Sequence, residues 1–202
     1  MYRVIFATIG SLLWVWFRLI LRCRITGLEN IPATGAVLAP NHQSFWDIPL
    51  IAVMVPRRVH FMAKEELFRV PVFGAIIRSL LAFPVKRGAP DRTAIRHAIE
   101  MLQENDLVVV FPEGTRSKTG LLGPFAPGAA LIAMKAGVPM VPVGLIATNR
   151  IFRNGGLLPR IEIHFDKPVS TISPTSGDGR KSLEEVGQEV RISIEQMLNR
   201  VS

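Results

Sequence analysis

The sequence predicts an α/β fold, a single domain with a largely parallel mixed sheet flanked by helices and preceded by an N-terminal membrane-associated helix. From residue 24 onward, short apolar runs typical of buried strands alternate with segments of helical period. This is the order expected of parallel strands joined by crossover helices. The chain has 202 residues, a length at which one domain is the ordinary expectation. We assign residues 1–23 to the N-terminal helix and residues 24–202 to the domain.

Composition narrows the class of protein before any motif is considered. Hydrophobic residues make up 49% of the chain, and 24 Lys and Arg against 16 Asp and Glu give a net charge of +8. A chain that is both apolar and basic indicates an anionic membrane surface as its partner. Nucleic acid is not expected, because the chain has no recognisable binding module and a single Tyr for base stacking. Cys23 is the only cysteine and no two histidines have the spacing of metal ligands, so neither a disulfide framework nor a metal is expected.

The first segment of the chain, residues 4–17, is almost wholly apolar and is followed by arginines. A secretory signal peptide would end in a small-residue cleavage site, but Arg22-Cys23-Arg24 stands there instead. A spanning helix needs about 20 apolar residues, a length that this segment reaches only by including Arg18.

Arginines line one side of this segment when it is drawn as a regular helix. At about 100° per residue, Arg3, Arg18 and Arg22 share one sector with Ser11. This pattern favours a helix lying in the membrane interface, with Trp14 and Trp16 at its boundary, over a spanning helix or a buried core helix. The arginine excess predicts that the domain lies on the cytoplasmic face of a membrane, and we expect the bacterial inner membrane. A second group of apolar residues predicts either a further membrane-facing patch or ordinary core packing: Phe68, Val70, Val72, Phe73, Ile76 and Ile77.

Strands and helices alternate through the rest of the chain. The clearest helix is predicted at 91–105, where Ala94, Ala98 and Leu102 share one face. Pro49 falls within the first predicted helix of the domain and is tolerated only near the first turn. The predicted strands are 36–39, 59–63, 81–85, 107–110, 140–146 and 161–165, the predicted helices are 44–55, 70–81, 91–105, 128–136 and 183–201, and a linker is predicted at 170–180.

A histidine and an aspartate five positions apart follow the first predicted buried strand of the domain. The stretch Asn41-His42-Gln43-Ser44-Phe45-Trp46-Asp47 runs from strand 36–39 into the next helix. We expect His42 on the strand-to-helix turn and Asp47 folding back from the first helical turn, since positions five apart lie about 140° from one another on a helix. A carboxylate there takes the hydrogen of one ring nitrogen and leaves the other nitrogen as a base.

A second motif follows a later predicted strand. Pro, Gly and Thr in the stretch Phe111-Pro112-Glu113-Gly114-Thr115-Arg116-Ser117 predict a tight turn rich in backbone N–H groups, beside the guanidinium of Arg116. A turn of this kind with an arginine is typical of a phosphate-binding site. Because active residues of a parallel sheet gather at the carboxyl ends of its strands, we expect His42, Arg87 and Glu113 along one edge.

Together these two stretches resemble the glycerolipid acyltransferase family, whose best-known members are the 1-acylglycerol-3-phosphate acyltransferases. The family's first motif, Asn-His-x-x-x-x-Asp, and its third, Phe-Pro-Glu-Gly-Thr-Arg-Ser, are present without a break at 41–47 and 111–117. The second motif is recognisable in Phe83-Pro84-Val85-Lys86-Arg87-Gly88, and the fourth in the Val-Pro-x-Val-Pro strand at 138–143. The four motifs keep the family's order and rough spacing.

The resemblance implies a glycerolipid acyltransferase-like fold and an O-acyltransferase that uses an acyl-CoA or acyl carrier protein thioester. The acceptor would be the free hydroxyl of 1-acylglycerol 3-phosphate, and the product phosphatidic acid, in phospholipid biosynthesis. His42 and Asp47 would act as a catalytic dyad with no covalent acyl-enzyme and no cofactor, and the partners would be membrane lipids and the acidic donor. Glu113 would repel phosphate, so it is expected to accept the glycerol hydroxyl or to orient Arg116. The residues implied in acceptor binding are Arg87, Glu113, Gly114, Thr115 and Arg116.

Two departures from the family's pattern leave the acceptor open. The segment Phe125-Ala126-Pro127-Gly128 lacks the basic residue that many relatives carry there, so Lys118 or Lys135 would replace it. The second motif lacks the Ile-Asp before Arg87, where Lys86 could share the role. The alternative acceptor is another lyso-lipid, such as a lyso-aminolipid or a different lysophospholipid.

Two other classes of protein compete with an acyltransferase. A non-catalytic membrane-binding module would need only the anchor and the positive charge, and the intact pair of His42 and Asp47 argues against it. A serine or thioester hydrolase would need a positioned nucleophile, but Ser44 lacks the Gly-x-Ser-x-Gly elbow and is expected to cap the following helix. The other histidines each stand alone in a strand or on a helix face and are expected to be structural: His60, His97 and His164.

Overall fold

One mixed sheet of seven strands organises the part of the chain that the structure describes. The computed structural model describes residues 2–86, 91–117, 119–152, 158–172 and 181–200, with the backbone alone for 2–7 and 9. The strands are β1 (Arg24–Thr26), β2 (Ala36–Pro40), β3 (Val59–Lys64), β4 (Ala82–Val85), β5 (Leu107–Val109), β6 (Met140–Ile146) and β7 (Glu162–Phe165). The helices are α1 (Tyr2–Val15), α2 (Asp47–Met54), α3 (Pro71–Ser79), α4 (Arg92–Gln103), α5 (Gly128–Ala136) and α6 (Leu183–Asn199).

The strand order is β1-β7-β6-β2-β5-β3-β4. Every neighbouring pair is parallel except β6 with β7, which is antiparallel. The prediction of a single α/β domain with a largely parallel mixed sheet is therefore confirmed.

The strand order also positions the two motifs. Leu38 of β2 pairs with Val109 of β5, and both strands are buried throughout, as expected of central strands in a parallel sheet covered on both faces. The chain leaves the carboxyl ends of these two neighbouring strands just before His42 and Phe111. The two motif loops consequently start side by side at one edge of the sheet.

Different helices cover the two faces of the sheet. Leu38 and Val109 belong to a core that also contains side chains of α2 and of the segment after α1. Val37 and Val108 belong to a second core, which contains side chains of α4, α5 and α6. Because successive side chains of a strand point to opposite faces, the same central strands serve both cores.

The predicted elements are present, with boundaries that differ by a few residues. The helix predicted at 44–55 begins at Asp47, because residues before it form the motif turn, and Pro49 is consequently its third residue. The strand predicted at 81–85 begins at Ala82, since Leu81 has a left-handed φ of 56° that ends the preceding turn. The helix predicted at 183–201 is described as Leu183–Asn199; Val201 and residues 173–180 of the predicted linker lie outside the described residues.

The N-terminal segment does not remain a regular helix to residue 22, and the prediction of a continuous arginine stripe is wrong beyond Val15. A π-helical turn spans Trp16–Ile20, with the Leu21 N–H donating to the Trp16 carbonyl at 3.0 Å. Arg22 follows with a φ of 48°, outside any helix. The wider turn places Phe17 and Leu21, both fully buried, in the core over α2. Burial of these two side chains stabilises the chain more than continued regular α-helical winding at 100° per residue would.

Apolar side chains remain exposed on two segments. Around the end of α1 they are Leu12, Trp14, Val15, Leu19 and Ile20. Of the second predicted group, Ile77 is buried in the interior, whereas Val70, Val72, Phe73 and Ile76 are exposed. Within the described residues, no helix combines the length and apolar character required to cross a membrane.

Candidate active site

His42 and Asp47 are hydrogen-bonded at the carboxyl end of β2, in the arrangement that their spacing predicts. His42 Nδ1 lies 2.8 Å from Asp47 Oδ2. The same oxygen accepts the backbone N–H groups of Gln43 and Ser44, each at 2.8 Å. Asp47 is fully buried as the first residue of α2. Three donors on one oxygen hold the carboxylate in place. The carboxylate can therefore fix the orientation of the imidazole.

The ring of His42 is supported from the other motif. It stacks on the Phe111 ring with centroids 3.9 Å apart and an interplanar angle of 24°, and 13% of its side chain is exposed. Because Nδ1 faces a carboxylate oxygen, this nitrogen carries the hydrogen in the neutral ring and Nε2 carries the lone pair. The arrangement can therefore accept a proton at Nε2 while the carboxylate stabilises the resulting imidazolium.

Asn41 anchors the end of β2, a role that the sequence reasoning missed. Its Nδ2 donates to the Leu145 carbonyl at 2.9 Å, and its Oδ1 accepts the Leu145 N–H at 2.7 Å. Asn41 is buried, and these two bonds pair it with β6 as a backbone residue would. The only signal in the sequence was its place beside His42 at the end of an apolar strand.

Glu113 connects the loop after β2 to the loop after β5. Oε1 accepts the His42 N–H at 2.8 Å, and Oε2 accepts the Gly123 N–H at 2.8 Å. A third bond joins the loops, since the Ser117 N–H donates to the His42 carbonyl at 2.8 Å. We expected Glu113 to accept a glycerol hydroxyl or to orient Arg116; in the structure each carboxylate oxygen already accepts a backbone N–H.

Gly114, Thr115 and Arg116 form an exposed turn next to this clamp. Gly114 has a left-handed φ of 67°, which favours glycine, and its N–H donates to the Phe111 carbonyl at 3.0 Å. The Arg116 guanidinium stacks on Phe45, a residue to which the sequence reasoning gave no role. The turn thus places a glycine backbone and a cation beside the His42 loop, two features that phosphate sites use.

Four other basic residues were expected from sequence to contribute to phosphate binding. Arg87 and Lys118 lie outside the described residues. Lys86 is exposed just after β4, at the outer edge of the sheet, and its N–H donates to Asp91. Lys135 lies in the last turn of α5, which leads into the amino end of β6. Lys135 therefore lies near the amino end of β6, whereas the motif loops lie at the carboxyl ends of β2 and β5. It cannot replace the missing basic residue from that position.

We expected the Ser44 side chain to cap α2, but the structure shows no such cap. The Ser44 hydroxyl accepts the Trp46 N–H at 3.2 Å, which closes the turn before the helix, and the N-terminal position of α2 has no side-chain cap.

Cys23 is unsuited to nucleophilic attack, because burial raises the pKa of its thiol to about 12 and it remains protonated at neutral pH.

The other histidines have protein partners. His60 Nε2 bonds to Asp106 Oδ2 at 2.9 Å, and the ring of His164 lies between Thr26 and Glu162. His97 makes an edge-to-face contact with Phe83. In the described parts of the chain, no group of three or more His, Cys, Asp or Glu side chains is arranged to hold a metal ion.

The chain is similar in sequence to known acyltransferases. The family described as "Acyltransferase" matches residues 22–146. The chain is 39% identical over 155 residues to the chloroplastic 1-acyl-sn-glycerol-3-phosphate acyltransferase BAT2 of Brassica napus, covering 72% of this chain and 44% of that protein. It is 34% identical over 137 residues to the 1-acyl-sn-glycerol-3-phosphate acyltransferase of Bacillus subtilis (strain 168), covering 65% of this chain and 68% of that protein.

A solved structure is similar over almost the whole chain. The crystal structure of PlsC from Thermotoga maritima, a 1-acyl-sn-glycerophosphate (LPA) acyltransferase, superimposes with a TM-score of 0.70 and 29% identity. The match covers 96% of this chain and 80% of that one. By contrast, the chain spans less than half the length of the plant relative.

Proposed function

The chain belongs to the acyltransferase family, and we propose that it transfers a fatty acyl group to the free hydroxyl of 1-acylglycerol 3-phosphate, giving phosphatidic acid for phospholipid biosynthesis. The observation that most supports this proposal is the hydrogen bond from His42 Nδ1 to the buried carboxylate of Asp47. It leaves an imidazole nitrogen available as a base at the carboxyl edge of the sheet. The names of the relatives support 1-acylglycerol 3-phosphate as the acceptor. The chain spans 44% of the length of the plant relative.

The proposed reaction is a direct transfer. His42 Nε2 takes the proton of the acceptor hydroxyl as its oxygen attacks the thioester carbonyl carbon. The carbon–oxygen bond forms and the carbon–sulfur bond breaks, and the imidazolium returns the proton to the departing thiolate. Asp47 orients the ring and stabilises its positive charge. General-base catalysis by the oriented ring contributes a rate increase of about 10²–10⁴. No covalent acyl-enzyme is required, in agreement with the placement of Ser44 in a turn.

Acceptor recognition is assigned to the exposed turn. Arg116 would bind the phosphate with the planar edge of its guanidinium, and the glycine turn at Gly114 and Thr115 would let the phosphate come close to the backbone. Arg87 is proposed as a second phosphate ligand. Glu113 would contribute by holding the loops together through His42 and Gly123, and not by contacting the acceptor.

The donor and the location are proposed from charge and apolar surface. Acyl-CoA and acyl carrier protein are both acidic, and the net charge of +8 suits either.

The exposed apolar side chains around the end of α1 support attachment to the cytoplasmic face of a membrane, where a lyso-lipid acceptor resides. Residues 1–23 would serve this attachment and residues 24–202 the chemistry, although Phe17 and Leu21 pack in the domain core.

A different lyso-lipid acceptor is the second candidate, and one observation favours it. The segment Phe125-Ala126-Pro127-Gly128 has no basic residue, and Lys135 lies at the wrong edge of the sheet to replace one. The anion site would then be weaker than in relatives that carry this residue. A lyso-aminolipid or another lysophospholipid would place less demand on Arg116.

The proposal is tested by assaying the purified full-length chain against a panel of lyso-acceptors with acyl-CoA and with acyl carrier protein. We expect the highest kcat/KM with 1-acylglycerol 3-phosphate. A higher kcat/KM with a lyso-aminolipid would select the second candidate. No acyl transfer to any acceptor with either donor would overturn the assignment of the activity.

Arg116→Ala examines the acceptor site directly. Losing one charge-assisted, two-pronged contact should lower kcat/KM for the phosphate acceptor roughly 10- to 150-fold, mainly through KM, with little change in donor KM. Arg96→Ala on the exposed face of α4 is the matched control and should leave both KM values unchanged. A rise in donor KM instead would place the donor, not the acceptor, on this turn.

A further inference from the structure

The two motif loops meet at an exposed aromatic ring. The guanidinium carbon of Arg116 lies 3.5 Å from the centre of the Phe45 ring, well inside the distance of about 6 Å at which cation–π attraction operates. None of the ion pairs between described residues involves Arg116. Among the described residues, the Phe45 ring is therefore the aromatic or charged group that the Arg116 guanidinium contacts.

Phe45 can act as a support because its backbone is held on both sides. The N–H groups of Gln43 and Ser44 before it bond to Asp47, and the N–H of Trp46 after it bonds to the Ser44 hydroxyl. The Phe45 side chain itself is 64% exposed and takes part in none of the ring–ring contacts between described residues. Core packing does not account for a phenyl ring in this position.

The stacking geometry suits a cation that must bind an anion. A guanidinium stacked on a ring uses one of its faces, whereas phosphate oxygens are bound by the N–H groups along its planar edge. With its central carbon 3.5 Å from the ring centre, the Arg116 guanidinium can lie flat on Phe45 with its phosphate-binding edge directed away from the ring. A long side chain that is already ordered also loses less rotamer freedom when the ligand arrives.

We infer that Phe45 is a positioning residue, which holds the Arg116 guanidinium in the orientation that binds the acceptor phosphate. This inference rests on the proposed function. It makes the residue between His42 and Asp47 a determinant of acceptor affinity, although it contacts neither the dyad nor the phosphate. The first motif would thereby supply both the base and the support for the arginine of the third.

The test compares two substitutions of this ring. Phe45→Leu removes the π face and keeps an apolar side chain, whereas Phe45→Tyr keeps the ring. With a short-chain, water-soluble 1-acylglycerol 3-phosphate, Phe45→Leu should raise acceptor KM about 3- to 10-fold with little change in kcat, and Phe45→Tyr should restore the wild-type KM. The soluble acceptor removes any contribution from binding to a lipid surface.

Two further variants separate positioning from other causes. Leu121→Ala removes an apolar side chain that is 75% exposed in the same loop region as Arg116, and it should leave acceptor KM unchanged. In an Arg116→Ala background, Phe45→Leu should have no further effect on acceptor KM, because the residue through which it acts is gone. Thermal unfolding of each variant, followed by circular dichroism, should match the wild type, since the exposed ring contributes little packing.

The possible outcomes distinguish this inference from the proposed function. A selective rise in acceptor KM that disappears in the Arg116→Ala background supports it. An equal effect of Phe45→Leu with and without Arg116, or an effect on kcat alone, would overturn it while leaving the activity in place. Absence of acyl transfer to the phosphate acceptor by the wild-type protein would overturn the proposed function and this inference with it.

Discussion

Asp47 is the residue on which the geometry of the candidate site depends most. One oxygen, Oδ2, accepts hydrogen bonds from His42 Nδ1 and from the N–H groups of Gln43 and Ser44. The other oxygen, Oδ1, is buried without a hydrogen-bond partner among the described residues. The carboxylate is thus positioned entirely through one of its two oxygens, which has a consequence for its replacement by asparagine.

Asp47→Asn should separate the charge of this residue from its geometry. The amide oxygen can occupy the Oδ2 position and keep all three donors, while the amide nitrogen takes the unpartnered Oδ1 position. The ring of His42 would stay oriented, but the negative charge that stabilises its imidazolium would be lost. We expect kcat to fall substantially, by less than in His42→Ala, with acceptor KM little changed; steady-state kinetics of the two variants side by side measure the difference.

A fall in kcat as large as that of His42→Ala would contradict this separation. It would show that the amide had flipped and directed its N–H₂ at the three donors, so that ring orientation was lost as well.

His42→Ala should lower kcat by about 10²–10⁴, the range attributed to general-base catalysis. The fold should survive, because the imidazole lies in a loop and is partly exposed. Ser44→Ala is the matched control from the same loop: it removes one turn hydrogen bond and should retain substantial activity. Circular dichroism and steady-state kinetics of both variants provide the comparison. If His42→Ala kept near-normal kcat the mechanism would fail, and a folded but inactive Ser44→Ala would point to a covalent route.

At the scale of elements, the site is a junction between two loops. The loop after β2 and the loop after β5 are joined by Glu113, whose oxygens accept the His42 and Gly123 N–H groups, and by the bond from Ser117 N–H to the His42 carbonyl. A Cβ on Gly123 would meet Glu113 Oε2 at 3.0 Å, so the carboxylate is closely enclosed. The position of the base therefore depends on a carboxylate 71 residues away in the chain.

Glu113→Gln should disturb this junction in a defined way. An amide can accept only one of the two N–H groups and must direct its own N–H₂ toward the other, leaving a donor unsatisfied at a cost of about 1–3 kcal/mol. We expect kcat to fall roughly tenfold through displacement of His42, with a smaller change in acceptor KM. Glu184→Gln on the exposed side of α6 is the control. A selective rise in acceptor KM would instead show that Glu113 contacts the acceptor.

At the scale of the whole molecule, the two faces of the sheet differ in what they expose. The α1 and α2 face carries exposed apolar side chains that include Leu12, Val15 and Leu19. The opposite face is covered by α4, α5 and α6. Phe17 and Leu21 join α1 to the core, so deleting residues 1–22 would remove core side chains together with the exposed ones. Substitution of exposed residues is consequently the cleaner test of membrane attachment.

Replacing Leu12, Val15 and Leu19 together by Gln should weaken binding to vesicles of anionic lipid by at least about tenfold, because each apolar side chain lost from the interface removes favourable transfer energy. Sedimentation with vesicles measures the bound fraction. Ile192→Gln, which changes an exposed apolar side chain of α6, is the control and should bind as the wild type. Equal binding by the triple variant and the wild type would place the membrane contact elsewhere, with Val72 and Ile76 of α3 as the next exposed positions to replace.

The sequence by itself determined the order of strands and helices from residue 36 onward, and the pairing of His42 with Asp47. These features are local: hydrophobic periodicity reports which segments are buried, and a histidine and an aspartate five residues apart can meet across one strand-to-helix turn. It also placed the motif loops along one edge, because parallel strands share the direction in which they end. What remained open from sequence were the neighbours of each element.

Only the tertiary structure decided those neighbours. Strand β7 lies between β1, to which it is parallel, and β6, to which it is antiparallel. This placement, the π-helical turn that buries Phe17 and the bonds of Glu113 to His42 and Gly123 depend on contacts between segments that are distant in the chain or on the packing around them. Sequence reasoning directed Glu113 toward the acceptor hydroxyl or toward Arg116, its neighbour in the motif. In the folded chain the two Glu113 oxygens accept backbone N–H groups, and the Arg116 guanidinium lies over Phe45. A side chain with several possible partners bonds to those that packing brings within reach, and packing is a property of the whole fold.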